Sequence, residues 1–273
     1  MDTQIVAVFC LCDDMLKALH HHEDPQSQIG DAEVMTTAIV AALYLGGNIE
    51  KARAHMQEYG YVPKMLGKSR FNRRFHRVAD LFLTLFSLLG ETWKALNESS
   101  IYVIDSFPIA ACDNYRICRC HLYQGKQWRG YQSSKKRFFY GLKLHLLITQ
   151  GGQPVEFFLS PGSYSDTNGL KVFFFDLPAG SKVTGDKAYT DYVIEDVMNE
   201  AEVYLSPLRK KNSIRPVPPW VHYLMSSYRK MVETTGSLIE RLLPKHIHAV
   251  TPRGFEIKIA LFALACSINF LVR

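Results

Sequence analysis

Three acidic residues stand where their carboxylates could do chemistry. Asp105 follows the apolar run IYVI and precedes Ser106-Phe107-Pro108, which predicts a carboxylate at the carboxyl edge of a strand. Asp186 repeats the arrangement after KVTG. In open α/β sheets the crevice beyond the strand ends is where ligands bind. Glu233 falls in the run YRKMVETTGS, which reads as helix, with Arg229 four residues earlier on the same helical face. Carboxylates from two strands and a helix could converge as hard oxygen donors for divalent cations. A pair of such ions can clamp the attacking and leaving oxygens of an in-line phosphoryl displacement. Spacing alone leaves a plainer reading open, because an Asp after a strand is commonly a turn former or helix cap and a helical Glu commonly faces water. Glu240, two turns beyond Glu233, is the rival for its role, and Asp166 in the phrase PGSYSD is a candidate supporting acid.

The elements that would position these acids change character along the chain. Residues 1–98 lack β-rich runs. Asp31 is placed to cap DAEVMTTAIVAALY, whose apolar positions recur at helical spacing until Gly46-Gly47, and Ser69 is placed to cap a basic helix through RFNRRFHR. From Ile101 the runs IYVIDSF, RFFYGLKLHLLIT, QPVEFFLSPG, SKVTGD and AEVYLSP read as strands. TDYVIEDVMNEA reads as an amphipathic helix with Val193, Val197 and Ala201 on its apolar side. Two further helices, around Glu233 and over FEIKIALFALACSINFLV, close the chain. The order implies an α/β fold in residues 99–273, preceded by an all-helical domain in residues 1–98.

The balance of residues excludes other classes. Hydrophobic residues make up 47% of the 273 and charged residues 21%, values of a globular chain rather than a disordered one. No apolar run reaches the ~20 residues of a membrane helix. The N-terminal MDTQIVAVFCLCDD has no basic residue ahead of its apolar segment, unlike a secretory signal. Six cysteines do not make a disulfide scaffold, so reduced thiols and a cytoplasmic location are expected. No GxxxxGK[ST] run is present for a nucleotide.

Several phrases together resemble one family. They are IDSFPIAACDNYRI (104–117), RGYQSSKKRFFYGLKLHLLIT (129–149), PVEFFLSPGSYSD (154–166), TGDKAY (184–189), RKMVETTGSLIERLLP (229–244) and IHAVTPRGFEIKIALFALACSI (247–268). In this order they resemble a DDE transposase of bacterial insertion sequences, most closely the insertion sequence 982 family. The resemblance implies an RNase H-like mixed sheet flanked by helices, and the triad Asp105, Asp186 and Glu233 as catalytic residues and metal ligands. It implies two Mg²⁺ or Mn²⁺ ions as cofactors. The partner it implies is double-stranded DNA, both element ends and target, bound by a homodimer or larger assembly in a bacterial or archaeal nucleoid, with no role for a membrane. The activity implied is cleavage at the element's ends followed by attack of the freed 3′-hydroxyl on target DNA. It needs no protein nucleophile, and Ser106 reads as a turn hydroxyl. The chain departs from the family pattern around the helical Glu: Ser226 stands where relatives often carry Tyr, with Tyr228 displaced, and Glu240 stands where they often carry Lys, followed by Arg241. The alternatives are a nuclease of the same fold that never joins strands, and an inactive, transposase-derived DNA-binding protein.

The basic residues are clustered accordingly. Residues 116–143 carry Arg116, Arg119, Lys126, Arg129, Lys135, Lys136, Arg137 and Lys143 without an acid, interleaved with aromatics. Such tracts neutralise phosphates and stack on unpaired bases. Arg129, Lys135, Lys136 and Arg137 are candidate DNA contacts, with Trp128 favoured as the base contact and Phe138 and Tyr140 as core or half-core. Arg70, Arg73, Arg74 and Arg77 share one helical face after a Gly-containing turn, compatible with a helix-turn-helix on DNA or with a solvated basic helix. Lys187, beside Asp186, and Arg229 complete the candidates. A third run, Arg209, Lys210, Lys211 and Arg215, could touch flanking or target DNA.

Other polar clusters read as structural. Cys112, Cys118, Cys120 and His121 have a C-x-C spacing too cramped for a zinc knuckle. The run His20-His21-His22 reads as a solvated helix end, and His145 as a structural strand histidine.

Overall fold

The computed structural model describes residues 1–273 except 133–135, 211, 245 and 273, and the side chain of Arg229. The chain forms two compact units, one of Met1–Leu89 with Ile239–Arg273 and one of Gly90–Leu238. The sequence reading divides the chain linearly at 98/99, whereas packing draws the C-terminal segment into the helical unit. The reason lies in two helices that are apolar all round. α2 (Asp31–Tyr44) and α9 (Pro252–Asn269) are buried along nearly their whole length and pack together. A helix with no polar face can be satisfied only from all sides.

Around this pair the helical unit carries α1 (Asp2–Ala18), α3 (Ile49–Glu58), α4 (Lys68–Arg77) and the beginning of α5 (Ala79–Ala95). The N-cap of α2 is Gly30 rather than Asp31: Gly30 N–H donates to Glu33 at 2.6 Å, and Asp31 is the first helical residue. Gly46 and Gly47 take φ of 57° and 74°, the left-handed conformation that ends a helix. Helix α4 begins at Lys68 after Gly67, so Ser69 lies inside it and is not its cap. The stretch between α3 and α4, residues 59–67, is longer than the three or four residues of a helix-turn-helix. No single helix among the described residues is long and apolar enough to cross a membrane.

The second unit is built on a mixed sheet of six strands flanked by helices, consistent with an α/β RNase H-like fold. Its strands are β1 (Ile101–Cys112), β2 (Arg129–Gln132), β3 (Arg137–Thr149), β4 (Pro154–Pro161), β5 (Lys182–Gly185) and β6 (Tyr204–Leu205), in the order β2-β3-β1-β5-β6 with β4 also on β3. β1 pairs antiparallel with β3, β3 antiparallel with β2 and β4, and β1, β5 and β6 run parallel. β1 extends through Pro108, further than the run IYVID predicts. Pro108 lies past the Ile104–Gly185 pair where β5 stops, so its missing N–H leaves no ladder bond unmade on that edge. The short strand β2 is not among the predicted strands.

After the short helix α6 (Asp166–Leu170), helix α7 (Tyr192–Glu200), capped by Asp191, reverses the expected orientation. Val193 and Val197 are exposed, and Glu195 is buried. Arg209 explains the reversal: its guanidinium makes two parallel bonds to Glu195, at 2.6 and 2.8 Å. A bidentate pair of this kind outweighs the modest gain from burying two valines. Residues 206–218 form no helix or strand among those described, and α8 (Pro219–Leu242) begins directly after them.

Candidate active site

The two aspartates are brought together by register. Ile104 pairs with Gly185 in the parallel ladder, so Asp105 and Asp186 occupy the next position on neighbouring strands, which lie roughly 4.8 Å apart. Asp105 is therefore within its strand, at the point where the parallel ladder ends. Each carboxylate accepts the N–H of the residue after it, from Ser106 at 2.8 Å and from Lys187 at 2.7 Å. Asp186 thereby caps a short 3-10 turn, Lys187–Tyr189.

Alternation along β1 puts Asp105 on the same face as Phe107. That face meets α8, because a Cβ added at Gly236 would fall 2.1 Å from the Phe107 ring. Only glycine lets the helix backbone approach so closely. Glu233 is one turn earlier on α8 and is exposed, while Val232, Thr235 and Gly236 are buried and Thr235 Oγ1 donates to the carbonyl of Gly152 at 2.9 Å. Glu233 thus belongs to the same compact unit as Asp105 and Asp186, whereas Glu240 falls in the other. Asp105, Asp186 and Glu233 are hard oxygen donors of the kind that Mg²⁺ or Mn²⁺ takes, although among the described residues the set of three potential metal-binding side chains with ligand atoms within 4.8 Å of one another is His21, Glu23 and Asp31.

The opposite sheet face carries a buried polar network. Lys143 Nζ and Ser106 Oγ both donate to Asp166 Oδ1, at 3.1 and 2.8 Å. Tyr189 and His145 are fully buried, with Tyr189 Oη 3.0 Å from His145 Nδ1, and His145 Nε2 2.9 Å from Ser160 Oγ. The imidazole stacks on Phe158 at 4.3 Å. Burial holds His145 neutral by pushing its pKa down to about 4, and burial raises the Tyr189 hydroxyl well above its ordinary value. Asp166 is held by Ser106 and Lys143; Tyr189 and Ser160 were not expected in this network. The signal for Tyr189 lay in its position, three residues beyond an acid and one turn round.

The family described as transposase DDE domain matches residues 96–247. The chain belongs to this family of DDE transposases. No curated protein and no solved structure matches it significantly. Family membership implies a polynucleotidyl transferase type of enzyme with DNA as its substrate, and DDE transposases generally use divalent metal ions.

The basic residues of this DDE transposase are not equivalent. Arg70, Arg73 and Arg77 are exposed on α4 and border a cleft of about 310 Å³ with Gln26 and Gln28. Arg74 is turned inward: its guanidinium pairs with Asp31 and donates to Ser27 Oγ at 2.6 Å. Asp31 also bonds His21 Nε2 at 2.9 Å, so the middle histidine of the run at 20–22 is tied down rather than solvated. Lys187, Arg129, Lys136 and Arg137 are exposed. Lys135 and Lys211 lie outside the described residues, as does the side chain of Arg229. Arg209 and Arg215 are committed to Glu195 and Asp196, which leaves them poorly suited to DNA.

The aromatics also sort differently from expectation. Tyr140 is buried, but Phe138 is 49% exposed and faces Tyr131, 50% exposed, across the β2–β3 pair with ring centres 5.0 Å apart. The Arg129 guanidinium lies 4.6 Å from the Phe138 ring centre. Trp128 is half-buried against Tyr123 and donates Nε1–H to the Gln124 carbonyl at 3.1 Å. Antiparallel pairing of β2 with β3 puts Tyr131 and Phe138 on one exposed strand surface, which alternation within a single strand could not anticipate.

Proposed function

We propose that this chain is the transposase of an insertion sequence, binding the element's ends and catalysing cleavage and strand transfer. The observation that carries the reading is the register that sets Asp105 beside Asp186, on the face covered by the helix of Glu233. These three residues would hold two divalent ions, Mg²⁺ or Mn²⁺. When bound, such ions supply Lewis acidity at the scissile phosphodiester and lower the pKa of water. The chain's own part is to hold DNA in place. Arg70, Arg73 and Arg77 would neutralise backbone phosphates in the helical unit; Arg129, Lys136, Arg137 and Lys187 would do so around the sheet. Pairing two ends calls for at least two copies of the chain. Family membership supports the reading, and the separation of a helical unit from a unit built on a mixed sheet is compatible with it.

The test is incubation of the purified protein with DNA carrying its own gene's flanks, with Mg²⁺ or Mn²⁺, beside Asp186→Asn. Nicks at fixed boundaries and joined products, both absent in the variant, are the expected result. Nicking without joining would instead make it a nuclease. Binding without metal-dependent cutting would make it an inactive DNA-binding descendant.

A further inference from the structure

Ser106 Oγ donates its one proton to Asp166 Oδ1, and Lys143 Nζ donates to the same oxygen. The Tyr189 hydroxyl lies 3.0 Å from His145 Nδ1, and His145 Nε2 lies 2.9 Å from Ser160 Oγ. Tyr189, His145 and Ser160 thus form a buried relay that ties the turn after Asp186 to β3 and β4.

Tyr189 is where this relay meets the acids. Its backbone N–H donates to the Asp186 carbonyl at 3.0 Å, closing the 3-10 turn that Asp186 caps. Its hydroxyl meets His145 on β3, the residue that pairs in the ladder with Ser106, directly after Asp105. Its ring packs beneath Gly185, where an added Cβ would lie 3.1 Å from Tyr189 Cδ2 and 2.9 Å from Ile104 Cγ2. One buried side chain therefore links the turn after Asp186 to β3, the ladder partner of the strand that carries Asp105.

We propose that Tyr189 is a positioning residue that fixes Asp186 against Asp105 through the Tyr189–His145–Ser160 relay, holding the pair ready for divalent cations. This inference rests on the reading of Asp105 and Asp186 as metal ligands. Side chains that orient metal ligands from behind typically change metal affinity 10- to 100-fold, at about that order, when removed.

The experiment compares full-length protein with Tyr189→Phe, which keeps the ring and removes only the hydroxyl. Free Mn²⁺ is counted by electron paramagnetic resonance in a titration without DNA, and DNA affinity is measured separately in EDTA. Tyr189→Phe should weaken Mn²⁺ binding about 10-fold or more while DNA affinity in EDTA stays unchanged. A merely structural tyrosine would lower the melting temperature and leave the Mn²⁺ affinity alone, and that result overturns the proposal. Ser160→Ala breaks the relay at its far link with little change in volume; it serves if Tyr189→Phe fails to fold, and should weaken Mn²⁺ in the same direction. Asp186→Asn separates the two levels. If it leaves Mn²⁺ affinity intact, the ligand assignment itself fails; if it abolishes binding while Tyr189→Phe does not, only the positioning role fails.

Discussion

Arg74 closes on Asp31 with Nη2 2.5 Å from Oδ1, and both side chains are nearly out of water, at 12% and 9% exposure. On the same helix, Arg70, Arg73 and Arg77 point to solvent. Identical residue types one turn apart therefore carry different work. Removing one partner of a largely buried pair strands the other charge, a loss of roughly 3–5 kcal/mol. Arg74→Ala should lower stability by about that amount in urea denaturation. Arg73→Ala should leave stability within about 0.5 kcal/mol. It should instead flatten the dependence of log K for DNA on log salt by about 0.9 if it neutralises one phosphate. Equal loss of stability in both variants would contradict this division.

Gly236 and Phe107 make a second separable pair. A methyl at position 236 would collide with the Phe107 ring at 2.1 Å, so Gly236→Ala must push α8 away from β1. Overpacking of this kind costs about 1–3 kcal/mol. Because Glu233 rides on the same helix, metal-dependent cleavage should fall more than stability alone explains. Phe107→Leu combined with Gly236→Ala should recover much of both, as the smaller side chain makes room. A double-mutant cycle with no coupling would mean that the helix does not rest on Phe107.

Much of this architecture was legible in the sequence because it depends on local periodicity. The strands flanking Asp105 and Asp186 and the helix of Glu233 followed from apolar runs and their punctuation. So did the helical character of residues 1–98. What was not legible depends on partners distant along the chain. α9 belongs with α2 because both are apolar all round, a match that no local window contains. α7 turns its valines outward because Arg209 reaches Glu195. Arg74 differs from Arg73 only through Asp31, 43 residues away. At the candidate site the acids could be read from position, but the relay under them could not. Ser160, His145 and Tyr189 come from three segments, and only the β3–β4 and β1–β3 registers reveal that they meet.

The exposed aromatics supply another discriminating experiment. Tyr131 and Phe138 present half-exposed rings beside Arg129, while Trp128 is engaged with Tyr123 and Gln124. Stacking of an unpaired base on an aromatic is worth about 1–3 kcal/mol. Tyr131→Ala and Phe138→Ala should weaken binding to DNA with a frayed end by about that much, and affect fully paired duplex less. Trp128→Ala should act chiefly on stability. If Trp128→Ala alone weakens frayed-end binding at unchanged stability, the half-buried indole is the base contact after all.

His145 predicts how stability responds to acid. Burial lowers its pKa to about 4; the Asp166 charge opposes that shift and the Lys143 charge reinforces it. In the unfolded chain the group should titrate near its ordinary 6.5. Between these values the unfolded state binds a proton that the folded state refuses, so stability rises with pH across this window and is lost as pH falls from 6.5 towards 4. At about 1.4 kcal/mol per pH unit, the full loss is on the order of 3 kcal/mol. His76, whose pKa is also lowered by burial, contributes in the same direction. Denaturation of wild type and His145→Gln at a series of pH values isolates the residue. The variant starts less stable at neutral pH, and the gap between the two should close as the solution is acidified. A gap that stays constant from neutral pH to about pH 4 would mean that His145 takes up its proton within the folded protein as readily as outside it.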